Sequence, residues 1–351
     1  MNNPVSILPN DLREFVVQEE SGWVEIRFPH AVSTPVVSVV VQTYQHGRFI
    51  EQTLQSILDQ ETSFQFEILV GEDGSDDGTR EKCIEFAKRH ADKIRLFLHD
   101  RSRVIKIGNR PTGRFNQLNN FAQAKGKFIA ICEGDDYWTD SKKLEKQASF
   151  LERNLKTALV FTDCKTVNAS GETISNSLLA GRTRNLSQID LVQGRRVPTL
   201  TVMFRREQIK DLPREIEQVL NADTFIFAHL GTKGTGELIG EIEPAAYRIH
   251  DGGIWSSASI FSRADDLINT YRVITRTVDA DYKSYAIAEL RRKHVGKCVS
   301  CIRFGRLALF CSSALEYFAD FGWTAAPRFV LAVAVQFASL VWARLGKIQN
   351  K

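Results

Sequence analysis

Between residues 35 and 132, β-branched apolar runs alternate with amphipathic stretches, and that alternation leaves few folds open to the chain. From Pro35 the sequence reads Val36-Val37-Ser38-Val39-Val40-Val41, a run of the kind buried in parallel sheets, and it stops at Gln42-Thr43-Tyr44-Gln45. Phe49, Ile50, Leu54, Ile57 and Leu58 then recur at the spacing of a helix that packs one face on a sheet. The same signals predict strands over 66–70, 94–98 and 127–132 and helices over 79–90 and 116–125, the last ended by Gly126. Strands that alternate with helices imply a mostly parallel sheet with right-handed crossovers, an α/β fold.

Two predicted strands end in acids. The run from Ile129 finishes Cys132-Glu133-Gly134-Asp135-Asp136-Tyr137-Trp138, and the strand over 66–70 runs into Glu72-Asp73-Gly74. Parallel strands point their C-termini the same way, so acids some sixty residues apart can line one crevice. Clustered carboxylates repel one another, and the arrangement makes most sense around a divalent cation and a bound phosphate ester. The plainer alternative is a solvated acidic turn in which Asp140 caps the next helix. Further on, the pattern predicts helices over 142–152 and 223–230 and strands over 158–162, 199–204 and 245–249. Residues 175–193 carry no clear pattern, and residues 100–112 read as a basic surface loop whose arginines could approach a diphosphate.

Taken together, Val36 to Gln45, Asp73 and Glu133-Gly134-Asp135 resemble the inverting family 2 glycosyltransferases over residues 35–256. The resemblance implies the GT-A fold, a Rossmann-like, mostly parallel sheet flanked by helices. On that division, 1–34 is an N-terminal extension, 35–140 a nucleotide-sugar half, 141–256 an acceptor half and 257–351 a helical, basic C-terminal region. It further implies that Thr43 and Tyr44 flank a nucleobase that Asp73 hydrogen-bonds, with Asn116 near the donor. Glu133 would approach the ribose with Asp136 alongside, and Asp135 would hold Mn²⁺ or Mg²⁺ on the diphosphate; a glutamate here replaces the commoner aspartate. Asp223 stands where similar enzymes carry the general base, with Asp163 and Glu217 in reserve; at a helix start it could instead only complement the dipole. His250, ahead of Gly252-Gly253, could complete the metal shell or be a structural histidine. Arg248 could pair with phosphate and Trp255 stack on sugar, or both could serve packing.

The implied activity is metal-dependent transfer of a sugar from a nucleotide donor, a UDP-sugar by expectation, to a saccharide or lipid-linked saccharide, as in surface polysaccharide synthesis. A sugar nucleotidyltransferase is the alternative enzyme, although it would want a Gly-rich basic loop after the first strand. A non-catalytic nucleotide-sugar-binding module is the other.

The net charge of +4 is unevenly spread: from Arg263 onward 14 Lys/Arg stand against 7 Asp/Glu, so this tail carries +7 and the remainder −3. Basic residues over 283–306 would attract anionic lipid, and residues 329–343 are apolar or small except Gln336. That stretch is short of the about 20 residues a span requires, which favours peripheral membrane contact through 283–345 by an interfacial helix, or a hairpin packed on protein. Nucleic acid is a poor partner, for want of an aromatic platform among the basic residues; self-association stays open. No apolar leader opens the sequence, so the enzyme part is expected in the cytoplasm, with the tail on the inner face of the membrane. Six scattered cysteines fit reduced, buried thiols, with Cys298 and Cys301 at CxxC spacing but without further ligands at zinc-site distance.

Overall fold

The computed structural model describes residues 16–20, 22–28, 34–181, 184–253 and 258–349. In chain order the strands are β1 (Val16–Glu20), β2 (Trp23–Ile26), β3 (Val37–Thr43), β4 (Phe66–Glu72), β5 (Ile94–His99), β6 (Lys106–Ile107), β7 (Arg110–Pro111), β8 (Phe128–Ile131), β9 (Thr157–Phe161), β10 (Cys164–Val167), β11 (Thr173–Ser175), β12 (Met203–Arg205), β13 (Thr235–Leu238) and β14 (Ala245–Arg248). The helices are α1 (Ile50–Leu58), α2 (Thr79–Arg89), α3 (Arg114–Gln123), α4 (Lys143–Arg153), α5 (Gln188–Val192), α6 (Ala222–Gly231), α7 (Ile260–Thr277), α8 (Ala280–Arg303), α9 (Leu307–Phe321) and α10 (Ala326–Gln349).

The valine-rich run becomes β3, the middle strand of a nine-stranded sheet ordered β1-β2-β5-β4-β3-β8-β12-β9-β13. Strands β5, β4, β3 and β8 are mutually parallel, as predicted, whereas β12 runs antiparallel to both β8 and β9. Val39, Val41, Ile68, Val70 and Leu96 are fully buried, together with Leu54 and Ile57 of α1. A second sheet, β11-β10-β14, is built around the parallel pair β10 and β14.

Buried charge also lies in the large sheet. The Arg95 guanidinium donates to Glu25 Oε1 at 2.8 Å, to Glu67 Oε2 at 3.1 Å and to the Gln123 carbonyl at 2.8 Å. Ser38 Oγ donates to Glu67 Oε1 at 2.6 Å, so β2, β3, β4 and β5 are tied together by one network. With Arg27 also 2.6 Å from Glu25 Oε1, opposite charges and hydrogen bonds offset much of the cost of burying these groups.

Several elements differ from expectation. The strand predicted over 199–204 is a 3₁₀ turn, Thr199–Thr201, followed by the short β12, because Thr201 Oγ1 donates back to the Pro198 carbonyl at 2.8 Å and tightens the turn. The unpatterned 175–193 stretch contains α5, fixed by a capping box in which Ser187 and Asp190 satisfy each other's backbone N–H groups. The basic loop after β5 folds into a 3₁₀ turn, Arg101–Arg103, and the β6–β7 hairpin. Residues 16–26 of the N-terminal extension add β1 and β2 to the edge of the large sheet.

The chain divides into two units, one running to Glu217 and resuming over Ile226–Ser256, the other comprising Gln218–Phe225 and Ser257–Lys351. The second is helical, with Val295, Cys298, Val299, Tyr317, Ala325 and Phe329 forming its core. Much of the basic character read on α8 is spent inside this unit. Arg292 and Lys293 pair with Glu289, and Lys297 is buried between Asp265 and Glu316. Cys298 and Cys301 are buried free thiols there, as are Cys83, Cys132 and Cys164 in the first unit, whereas Cys311 is exposed. Among the described residues no single helix is long and apolar enough to cross a membrane.

Candidate active site

Strands β3, β4 and β8 lie side by side and parallel, so their C-terminal loops leave one edge of the sheet with β3 in the middle. At about 4.8 Å per strand, the chain after β4 and the chain after β8 flank the end of β3 across about 10 Å. Asp73 and Asp135 thus sit on either side of one strand end.

The β3 loop is turned sharply. Gln45 adopts φ 56°, a left-handed conformation uncommon for a residue with a side chain, and Ser75 Oγ accepts its N–H at 2.9 Å. His46 N–H then donates to Thr79 Oγ1 at 2.9 Å, which aims the imidazole toward the β8 loop. That loop is a tight turn in which Asp136 N–H donates to the Glu133 carbonyl at 3.1 Å and Gly134 N–H to the Gln42 carbonyl at 2.9 Å. A Cβ on Gly134 would meet Thr43 Oγ1 at 2.6 Å and His46 Nδ1 at 2.8 Å, so only glycine leaves room for both.

Strand β14 supplies the third part. Ala246 exchanges hydrogen bonds with Tyr137 at 2.8 and 3.2 Å, which sets Arg248 N–H 2.7 Å from Asp136 Oδ1 and carries the chain on to His250. The His250 Nε2 lies 3.0 Å from Asp135 Oδ2, and the His46 Nε2 is 3.7 Å from the same oxygen. One ligand atom from each of His46, Asp135 and His250 falls within 4.8 Å of the others. Two imidazole nitrogens and a carboxylate, with the buried His46 Nδ1 lacking a hydrogen-bond partner in the structure, are a donor set that fits a divalent cation. Burial lowers the His46 pKa against the charge of Asp135, which keeps the ring neutral and able to ligate. Burial pushes the Asp135 carboxyl up, but the opposing effects, led by its hydrogen bond with His250, more than offset this and hold it below the usual range.

The other residues singled out from sequence divide in two. Asp136 is buried and turned inward, its pKa raised well above normal by burial and by the charges of Asp135 and Glu133. Arg248 is also buried: Nε donates to the Asp135 carbonyl at 2.8 Å, an Nη donates to Gln52 Oε1 at 2.6 Å, and the guanidinium lies 4.6 Å from the Phe49 ring centroid. Asn116 is buried beneath β4, with its amide donating to the Gly71 carbonyl at 2.7 Å and its oxygen accepting from Asn120 at 3.1 Å. These three brace the loops. Asp163 accepts N–H bonds from Cys164, Leu178 and Leu179, which consume one of its oxygens. Glu133 is half-buried at the turn. Trp255 lies outside the described residues. Asp223 stands half-buried in the first turn of α6, within the second unit, with Thr224 N–H donating to its Oδ1 at 2.7 Å.

At the β4 side, Asp73 is buried next to the exposed ring of Tyr44, and its N–H donates to the Thr43 carbonyl at 3.1 Å. Arg101, from the loop after β5, ion-pairs with Asp73 and lies with its guanidinium 3.6 Å from the Tyr44 ring centroid. Burial raises the Asp73 pKa to about 6, opposed by the Arg101 charge. Sequence reasoning did not single out His46; Arg101 it read only as one of the basic residues of the 100–112 loop that could approach a diphosphate, whereas here it lies on Asp73 and Tyr44. The signal for His46 was its place three residues after β3, at the same sheet edge as both acid turns.

The family model for glycosyl transferase family 2 matches residues 38–211, which carry β3, β4, β8 and their loops. The chain belongs to glycosyl transferase family 2. An uncharacterised protein of Mycobacterium tuberculosis is 30% identical to this family 2 chain over 63% of it. The match spans 61% of that relative's length. A UDP-Glc:alpha-D-GlcNAc-diphosphoundecaprenol beta-1,3-glucosyltransferase of Escherichia coli is 26% identical over 55% of this chain and 65% of its own. Among solved structures, Staphylococcus aureus TarS 1–349 in complex with UDP-GlcNAc shares the fold at a TM-score of 0.58 and 17% identity, with 80% of each chain covered. The mannosyltransferase PcManGT of Pyrobaculum calidifontis, in complex with GDP-Man and Mn²⁺, does so at 0.53 and 17%, with 89% of each covered. The GT-A fold class expected from sequence is thereby shown.

Proposed function

We propose that this family 2 enzyme is a divalent-cation-dependent, inverting glycosyltransferase that moves a sugar from a UDP-sugar to a saccharide or lipid-linked saccharide acceptor in surface polysaccharide synthesis. The observation that carries this reading is the meeting of His46, Asp135 and His250 beside Asp73 at one edge of the parallel sheet. The UDP-sugar and the lipid-linked saccharide named for the E. coli relative, the UDP-GlcNAc bound to TarS and the Mn²⁺ bound to PcManGT all support it.

His46, Asp135 and His250 would hold the ion, and two imidazole nitrogens suit Mn²⁺ better than Mg²⁺, which prefers an all-oxygen shell. When bound, the ion neutralises charge that gathers on the departing nucleoside diphosphate. Asp73 accepts an N–H from the base, and Tyr44 stacks on it once Arg101 has moved off the ring. Glu133 faces the ribose. Asp223 is the candidate base that takes the proton of the attacking acceptor hydroxyl.

Thermal stabilisation by nucleotides and nucleotide-sugars, each with Mn²⁺, with Mg²⁺ and without metal, tests the donor and the ion together. UDP and UDP-sugars with Mn²⁺ should raise the melting temperature most; ligand at 100 times its Kd adds about 2.7 kcal/mol, a shift of a few degrees. Equal shifts with and without metal would refute the triad as an ion site.

Asp73 gives a pH test. The carboxylate form is the acceptor, so affinity for UMP, which has no diphosphate, should fall as pH drops through about 6 and level off above it. Titration calorimetry across that range should show the slope in the natural protein and its loss in Asp73→Asn.

A further inference from the structure

We propose that α9 and α10 form a docking surface for an anionic lipid bilayer, lying in its headgroup layer as a bent pair. The inference concerns the helical unit alone and does not rest on the glycosyltransferase reading. On α9 and just before it, Phe304, Leu307, Cys311 and Leu315 recur at helical spacing and are all exposed. Leu307 and Leu315 keep 75% and 59% of their surface. On α10, Leu331 and Val335 are exposed to 65% and 61%, and Trp323, at the break between the helices, to 68%. The ring of Trp323 stacks on Phe318 with centroids 4.5 Å apart, which holds the indole at the elbow. Apolar exposure on this scale marks a surface that meets another apolar phase.

Charge decides which phase. From Ile302 onward the only acids are Glu316 and Asp320, and both are drawn toward the neighbouring helices. Glu316 pairs with Arg272 and Lys297, and Asp320 with Arg272 and His294. Arg303, Arg306 and Arg328 remain exposed around the apolar stripes. An apolar face rimmed by cations matches acyl chains beneath anionic headgroups. Geometry decides the mode of contact. The helices Leu307–Phe321 and Trp323–Ser339 reach the apolar character of a span only together, and they meet at a 112° bend. Fifteen residues of α9 cover about 22 Å, less than the about 30 Å hydrocarbon core, and α10, though longer, is not apolar enough to cross by itself, so with the sharp bend between them the proposal has the pair lie along the membrane.

The test is flotation of the full chain with vesicles of phosphatidylcholine alone and with about one third phosphatidylglycerol. The protein should float with the anionic vesicles and much less with the neutral ones. A Leu315→Ser, Trp323→Ser, Leu331→Ser variant should partition at least about tenfold more weakly. Arg303→Glu, Arg306→Glu, Arg328→Glu should abolish the preference for phosphatidylglycerol. The arginine variant should keep the melting temperature of the natural protein, since the changed side chains are exposed, and the serine variant, which also loses the Trp323 stack on Phe318, should unfold cooperatively within a few degrees of it. Unaltered chain that stays at the bottom of the gradient with anionic vesicles would overturn the proposal. So would light scattering that shows a dimer made monomeric by the serine variant, because the face would then bind a second copy. Donor-induced stabilisation is measured without vesicles, so its failure and the failure of flotation are separate results.

Discussion

Asp135→Ala should abolish metal-dependent hydrolysis and transfer of the donor, by about 10³-fold or more, while leaving the protein folded. Asp135 is the carboxylate within reach of both imidazoles, at 3.0 Å from His250 and 3.7 Å from His46. Its removal takes away the anionic ligand and leaves two imidazoles, too little to hold a divalent ion on a diphosphate at working concentrations. Folding should survive, because the loss also relieves repulsion with Asp136, whose carboxyl is pushed up partly by the Asp135 charge. Mn²⁺ titration by calorimetry and by the electron paramagnetic resonance signal of the free ion separates binding from turnover. In the same assay His46→Ala should weaken Mn²⁺ by at least about tenfold, the effect expected when a member of a metal's surroundings is lost. Full turnover with Asp135→Ala, or unchanged Mn²⁺ affinity in both variants, would remove the triad from the chemistry.

The largest loss of stability should come from Arg95→Ala, at about 3–5 kcal/mol by urea unfolding. The guanidinium serves Glu25 and Glu67, both fully shielded from solvent, and no water could enter to replace it without opening the sheet. Glu67 would face burial as an unpaired charge or take up a proton, while Glu25 would be left with Arg27 alone, 2.6 Å from its Oε1. A triple exchange, Arg95→Met with Glu25→Gln and Glu67→Gln, should recover most of the loss, because what destabilises is the orphaned charge rather than the missing attraction. A single Arg95→Ala that unfolds at the midpoint of the natural protein would show the network to be dispensable.

Where side-chain chemistry dictates backbone conformation, the sequence was readable. The strands β3, β4, β5 and β8 are runs of Val, Ile, Leu and Phe buried on both faces, and their position beside one another followed from the helices between them. Asp73, Asp135 and His250 could be picked out because they follow apolar runs directly. His46 was not, since a histidine in a polar loop carries no periodic signal and acquires meaning only once Gln45 turns it toward Gly134. The second sheet was equally hidden. Strand β10 pairs with β14, about eighty residues away, and a four-residue strand such as Cys164–Val167 is set by its partner rather than by its own composition. For Arg248, sequence left a phosphate contact and a packing role both open, and for Asn116 it offered a place near the donor; neither reading could show which backbone groups they would serve. In the structure both are buried, and Arg248 donates to the Asp135 carbonyl in the β8 loop while Asn116 donates to the Gly71 carbonyl in β4.

The residues ahead of Pro35 have a protective consequence. Strand β2 covers β5 from Trp23 opposite His99 to Ile26 opposite Leu96, with the Trp23 and Phe97 rings 5.6 Å apart. Stripped of β2, the row of amides and carbonyls along β5 would lie open beside apolar side chains, a template for pairing with any extended chain. Shortening the protein so that it begins at Pro35 would therefore trade a little length for a sticky flank, and aggregation would set in at the sheet's border while the loops that carry His46, Asp135 and His250 remained intact.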